Sequence, residues 1–184
     1  MRKLIAAINI TLDGFCDHTA GIADDELHEH YNDLIRSGDT MIFGRVTYQL
    51  MESSWPAIVK KPLGIKAMDD FAVLIDNIDK VVFSRTLKSV TWKNTTLIAD
   101  NLETEITRLK QQPGRDLLVG SPSLISQLTE AGLIDEYQLC IHPVILGSGL
   151  ALFKNISKRN VLKLLKTKTF GSGAVVHYYE NRHD

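Results

Sequence analysis

"DLLVGSPSLISQLTEAGLIDEYQLCIHPVIL", residues 116–146, contains two apolar runs joined by a helical pattern, which indicates the fold class. An apolar run ends at a Gly-Ser-Pro turn, a helical pattern follows, and a second apolar run begins near residue 135. Apolar residues recur at helical spacing over 122–131, which predicts a helix there. Pro122 suits the first helical position, and Ser121 before it is the expected N-cap. The stretch therefore predicts a strand over 116–120, a helix over 122–131 and a long strand over 135–146.

The same alternation extends over the rest of the chain. Near-continuous apolar runs predict further buried strands, and helical patterns lie between them. The predicted strands cover 3–10, 40–44, 80–84, 95–99, 161–170 and 174–180, and the predicted helices cover 23–38, 45–51, 66–75 and 102–112. The last two strands flank Gly171-Ser172-Gly173 as an antiparallel hairpin, and 53–65 is predicted to be a loop. We expect one α/β domain over 1–184, with a mostly parallel central sheet, flanking helices and this C-terminal hairpin.

Composition excludes several classes of function. The net charge is −1 at neutral pH, so the chain as a whole has no basic field for nucleic acid. No apolar run approaches the ~20 residues of a membrane span, and the opening residues are interpreted as a strand. The two cysteines form no CxxC motif or disulfide framework, which suits a cytoplasmic protein. The histidines form no metal-binding set, so no metal site is predicted.

Polar residues with anion-binding chemistry follow several predicted strands. The turns are "FGRVTY" (43–48), "FSRTL" (83–87) and "VGSPSL" (119–124). The carboxyl ends of parallel strands are where ligands gather, and helix N-termini there favour phosphates. Each turn alone has a simpler interpretation, as a turn with a solvated cation or as a helix cap. The candidate ligand-binding residues are Gly44, Arg45, Thr47, Ser84, Arg85, Gly120, Ser121 and Ser123.

These motifs, with "TLDG" (11–14) before them and "GLIDEY" (132–137) and "IHPVILGSGLALF" (141–153) after them, resemble the dihydrofolate reductase-like superfamily. The closer resemblance is to the branch with the reductase domain of bacterial riboflavin biosynthesis and its small relatives. It implies an NADPH-dependent reductase of a small planar heterocycle, pyrimidine- or pterin-like, or of a related carbonyl or imine. It also implies a homodimer. The loop after Gly14 lacks the Leu-Pro-Trp of folate reductases, which argues against folate itself.

The resemblance also implies roles for the turns. Those at 43–48 and 119–124 match turns that hold the cofactor phosphates and pyrophosphate, and Ser84 and Arg85 match the turn that reads the ribose 2′-phosphate. Folate reductases carry several glycines where this chain has Gly-Ser-Pro. Pro122 removes one N–H donor, so hydroxyl groups are expected to carry more of the contact.

A proton must also reach the reduced substrate. Asp13, in "TLDGF", is the first candidate, and Asp24 and Asp25 at the start of the first helix are the second; Asp13 and Asp25 are taken as candidate catalytic residues. An Asp-Gly turn and a helix cap are the structural alternatives. A protein of the same fold that binds a nucleotide or pterin-like ligand without turnover also remains open.

Overall fold

A computed structural model of the protein describes residues 1–182. Its strands and helices follow one another in the predicted order. The strands are β1 (Leu4–Thr11), β2 (Gly38–Gly44), β3 (Asp79–Phe83), β4 (Thr95–Ile98), β5 (Asp116–Val119), β6 (Glu136–His142), β7 (Leu162–Thr169) and β8 (Val175–Asn181). The helices are α1 (Asp25–Ser37), α2 (Arg45–Lys60), α3 (Lys66–Asn77), α4 (Leu102–Gln111) and α5 (Pro122–Glu130).

The strands form one sheet in the order β4-β3-β2-β5-β1-β6-β8-β7. Only β8 runs antiparallel to its neighbours, β6 and β7. This confirms the predicted mostly parallel α/β sheet with an antiparallel hairpin at the C-terminal edge. Because parallel neighbours need crossover connections, the helices between them cover the sheet.

Alternate residues of the central strands face different layers of helices. Leu117 and Val119 of β5 belong to the same buried cluster as Ile125 of α5. Leu118, between them, packs instead with Leu34 of α1. Both faces of the sheet are therefore covered, which explains why the central strands read as continuous apolar runs.

Helix α2 is longer than predicted. It continues through Pro56 to Lys60, although the sequence predicted an end near Met51 and a loop beyond it. Tertiary packing explains the extension, because the ring of Trp55 lies against Phe71 of α3 with centroids 4.5 Å apart. The proline removes one helical hydrogen bond, and burial of the aromatic pair offsets that loss.

Strand β6 is shorter than predicted, since it ends at His142 instead of continuing to residue 146. Pro143 follows directly and has no N–H to donate to the sheet. The chain then passes into an exposed segment that packs against the turn after β1: Leu12 donates its N–H to the Val144 carbonyl at 2.8 Å, and Cys16 donates to Leu150 at 2.7 Å. Within residues 1–182, no helix is long and apolar enough to cross a membrane.

Candidate functional site

A cavity of about 930 Å³ lies where β1 to β5 end, and residues at or just after these ends line it. A second cavity of about 780 Å³ adjoins it and shares Arg85, Ser123 and Leu150 as lining residues. The predicted cofactor-binding residues come together here with the exception of Ser121. Those that line the larger cavity are Gly44, Arg45, Thr47, Ser84, Arg85, Gly120 and Ser123.

The exit of β2 places a helix N-terminus at the cavity. Gly44 is extended and α2 starts at Arg45, with no side chain capping the first turn. The first N–H groups of a helix have no partner within the helix, so they are available to a ligand. Arg45 is exposed, and its Nη1 donates to Oε1 of Gln49 at 3.1 Å. This end of the cavity therefore suits an anionic group.

The turn after β5 packs closely against the strands on either side, β1 and β2. A Cβ on Gly120 would lie 3.2 Å from the carbonyl oxygen of Ala7, so a side chain there would crowd β1. Ser121 precedes α5 as expected, but its hydroxyl makes no capping bond to the helix. It is buried and accepts a hydrogen bond from the Gly44 N–H at 2.9 Å. Ser121 therefore joins two turns of the site without lining the cavity, while Ser123 does line it.

The turn after β3 contains Arg85, the second arginine of the predicted site. The hydroxyl of Ser84 accepts hydrogen bonds from the N–H groups of Thr86 at 3.2 Å and Leu87 at 3.0 Å, which shapes the turn. Arg85 is exposed, and its Nε lies 3.2 Å from Oδ1 of Asp100. Asp100 follows β4 and also lines the cavity. Asp100 was not predicted as a site residue, although it stands directly after the predicted strand at 95–99.

The two carboxylates predicted to be catalytic are not among the residues that line the cavity. Asp13 accepts hydrogen bonds from the Thr11 hydroxyl at 2.6 Å and from the Gly147 and Leu146 N–H groups at 2.7 and 3.1 Å. These bonds, that from Thr11 foremost, lower the pKa of Asp13. Asp25 is exposed in the first turn of α1.

Asp24, not Asp25, is the N-cap of α1. Its carboxylate accepts from the N–H groups of Leu27 at 2.8 Å and Ser172 at 2.7 Å. The bond from Leu27 is the main reason that the pKa of Asp24 is lowered. The helix-capping alternative thus describes Asp24.

Near the end of β1, Asn9 and its two partners Tyr31 and His142 form a polar wall that was not predicted as part of the site. Asn9 is exposed and lines the cavity although its neighbours Ile8 and Ile10 are buried. Its Oδ1 lies 2.9 Å from the Tyr31 hydroxyl and 3.0 Å from Nε2 of His142. An amide inside the apolar run "KLIAAINI" was the signal in the sequence. Burial raises the pKa of Tyr31 and lowers the pKa of His142, so both groups are neutral near pH 7.

One acidic side chain does line this end of the cavity. Asp17 follows β1 by a few residues and accepts hydrogen bonds from the Thr19 hydroxyl at 2.7 Å and N–H at 2.8 Å. These bonds, with the hydroxyl first, lower the pKa of Asp17 and favour its carboxylate form. Within residues 1–182, no group of three or more His, Cys, Asp or Glu side chains is arranged to hold a metal ion.

Comparison with known proteins shows the family and the fold of this chain. Residues 2–176 match the family model described as the RibD C-terminal domain. The uncharacterized protein YyaP of Bacillus subtilis (strain 168) is 34% identical over 184 residues, which cover 97% of this chain and 94% of that protein. Two solved structures share the fold: a putative riboflavin biosynthesis protein from Shewanella sp. PV-4, and a dihydrofolate reductase from Enterococcus faecalis complexed with NADP(H).

The Shewanella structure has a TM-score of 0.76 at 18% identity and covers 98% of this chain and 99% of its own. The Enterococcus structure has a TM-score of 0.65 at 13% identity and covers 99% of this chain and 97% of its own. At such low identity these structures establish the fold alone. The family follows from the model that matches nearly the whole sequence and from the relative at 34% identity: the chain belongs to the RibD C-terminal domain family.

Proposed function

We propose that this protein is an NADPH-dependent reductase of a small planar heterocycle, pyrimidine- or pterin-like, or of a related carbonyl or imine. One observation carries the proposal. A single cavity joins an uncapped helix N-terminus and two exposed arginines, Arg45 and Arg85, to a polar wall around the uncharged amide of Asn9. The first part suits a phosphorylated cofactor, and the second suits an uncharged ring.

The residues present fit this cofactor. Arg45, Thr47 and the first turn of α2 would hold phosphate oxygens with a charged side chain, a hydroxyl and N–H groups. Ser84 and Arg85 would bind the ribose 2′-phosphate, and Gly120 and Ser123 would lie along the pyrophosphate. Ser121 would act indirectly, because its bond to Gly44 holds the turn that precedes α2. When bound, NADPH supplies a hydride to the acceptor.

The protein's contribution is then to orient the acceptor and deliver a proton. Asp13 and Asp25 keep their proposed role in proton delivery only if a ligand or a water reaches them, since neither lines the cavity. That placement is also the observation that favours the second candidate, a nucleotide- or pterin-binding protein without turnover. A protein of that kind needs the same cavity and no proton donor.

Cofactor binding and turnover separate the two candidates. Dissociation constants for NADPH and NADH are measured by quenching of intrinsic tryptophan fluorescence. Oxidation of NADPH is then followed by the loss of its absorbance with a panel of pyrimidine, pterin and carbonyl compounds. A reductase binds NADPH and oxidises it with at least one compound, whereas a carrier binds without oxidation. Failure to bind either cofactor would refute the reductase proposal.

We also propose a cytoplasmic homodimer in which a second copy covers an exposed apolar surface. Leu12, Ile145 and Leu146 are 63%, 72% and 39% exposed and lie in two segments joined by the Leu12–Val144 hydrogen bond. A surface of this kind is typical of an interface. Light scattering should give twice the monomer mass of 20.6 kDa at micromolar concentration, and a monomer mass would contradict the proposal.

A further inference from the structure

We infer that Asn9 selects the substrate ring, because its side-chain NH₂ group is held facing the cavity and donates a hydrogen bond to a ring carbonyl or an unprotonated ring nitrogen. The inference deepens the proposed function and rests on the same cavity.

Asn9 is the one exposed residue of β1, whose other residues are buried or half-buried. Ile8 and Ile10 on either side are buried, and β1 lies between β5 and β6 in the sheet. Asparagine is disfavoured in strands, and an amide adds little to an apolar core. The side chain is instead exposed at the cavity wall. A polar group at this place is explained if it meets a ligand.

The hydrogen bonds around Asn9 determine which atom of the amide is oxygen. His142 accepts the Ile22 N–H at Nδ1, 3.0 Å away, so in the neutral ring the proton is on Nε2. Nε2 is 3.0 Å from Oδ1 of Asn9 and donates to it. The Tyr31 hydroxyl donates to the same oxygen at 2.9 Å. The Nε2–H group of His142 would repel an NH₂ group at that position, so the amide cannot be flipped.

The nitrogen of Asn9 is therefore the atom available to a ligand. No acceptor for Nδ2 is present among the residues that the structure describes, 1–182. His142 and Tyr31 have already donated to Oδ1, so the wall presents N–H donors from Asn9 to the cavity. A ring edge with a carbonyl oxygen or a bare nitrogen pairs with this donor. A ring amino group at the same position would place donor against donor.

Two fluorescent rings test this selection. Lumazine, a pteridine-2,4-dione, has a carbonyl on each side of one ring nitrogen, whereas pterin has an amino group in place of one of these carbonyls. Their dissociation constants are measured by fluorescence titration of the full-length protein with and without saturating NADP⁺, so that the test does not depend on cofactor binding. The quantity compared is the affinity ratio of lumazine to pterin.

The Asn9→Asp variant keeps the shape and replaces the donor with an acceptor. The new carboxylate still accepts from Tyr31 and His142, and its free oxygen now favours the amino ring. We expect the lumazine-to-pterin affinity ratio to fall by about tenfold or more. A change of this size is expected when one favourable hydrogen bond to the ring is replaced by an unfavourable contact. Asn9→Ser removes the amide and should weaken lumazine without improving pterin, which keeps the test open if the aspartate variant folds poorly.

Asn160→Asp is the matched control for the added charge, and His142→Leu tests the group that orients the amide. Asn160→Asp adds the same charge in an exposed loop away from the cavity and should leave the ratio unchanged. His142→Leu removes the donor that orients the amide, so the ratio should fall while NADP⁺ affinity stays within about threefold. This split distinguishes a positioning role of His142 from general damage to the fold.

An unchanged ratio in Asn9→Asp would overturn the inference, as would a wild-type protein that binds neither ring. If the ratio is unchanged while NADPH is still bound and oxidised, only the role of Asn9 is refuted. If neither cofactor binds but the ratio shifts as expected, the inference on Asn9 stands and the reductase proposal is refuted.

Discussion

The preference for NADPH over NADH is expected to depend on Arg85, whose side chain is paired with that of Asp100. The two side chains form an ion pair with Nε and Oδ1 3.2 Å apart, and they are 84% and 63% exposed. A pair as exposed as this contributes only about 0–1 kcal/mol, so Arg85 can leave it for a phosphate at little cost. NADPH differs from NADH by a single 2′-phosphate. We expect Arg85 to distinguish the two cofactors.

Two substitutions should shift NADPH binding in opposite directions. Arg85→Ala removes a charge-assisted hydrogen bond of about 1.5–3 kcal/mol, which corresponds to about a tenfold to hundredfold loss of NADPH affinity. NADH has no phosphate at this position and should change far less. Asp100→Asn removes both the competing partner of Arg85 and a negative charge near the phosphate. It should tighten NADPH about threefold to fivefold, in line with the strength of an exposed pair.

The assay is a set of dissociation constants for both cofactors at one ionic strength, since salt screens exposed charges beyond about 10 Å at 0.1 M. Arg36→Ala is the matched control, because Arg36 is an exposed arginine paired with Asp33 on α1, outside the cavity. Equal weakening of NADPH and NADH by Arg85→Ala would show that this turn does not read the 2′-phosphate. Tighter NADH binding in Asp100→Asn would also refute the reasoning.

The remaining predictions concern stability and turnover. Ser121→Ala leaves the buried Gly44 N–H without its acceptor and should lower the free energy of unfolding by about 1–3 kcal/mol in urea denaturation, whereas no change would show that a water replaces the hydroxyl. Burial lowers the pKa of His30 from 6.5 to about 4. As the pH falls below 6.5, the unfolded state therefore binds a proton before the folded state does, and the free energy of unfolding decreases. This group should account for about 2 kcal/mol between pH 6.5 and about pH 5, and His30→Gln, melted over the same range, should lack that part of the slope. Asp13→Asn should lower kcat much more than NADPH affinity in steady-state kinetics, and unchanged kinetics would make Asp13 only a turn residue.

The architecture was largely predictable because its signals are local. Near-continuous apolar runs predicted the buried parallel strands, and turn residues at 171–173 predicted the C-terminal hairpin. The error at α2 fell where a distant contact outweighs local preference, whereas the error at the end of β6 came from a local signal, Pro143. Trp55 packing on Phe71 carries α2 past Pro56, which local rules treat as a helix breaker.

The candidate site divides in the same way. The turns that supply glycines, hydroxyls and arginines could be predicted from the sequence, and they come together because parallel strands end at one edge of the sheet. The partner of each side chain became clear from the folded chain alone. Ser121 bonds to Gly44, Arg85 pairs with Asp100, and Asn9 is oriented by His142, 133 residues away in the chain. Such pairings depend on which strands become neighbours, and residue spacing along the chain carries no record of that.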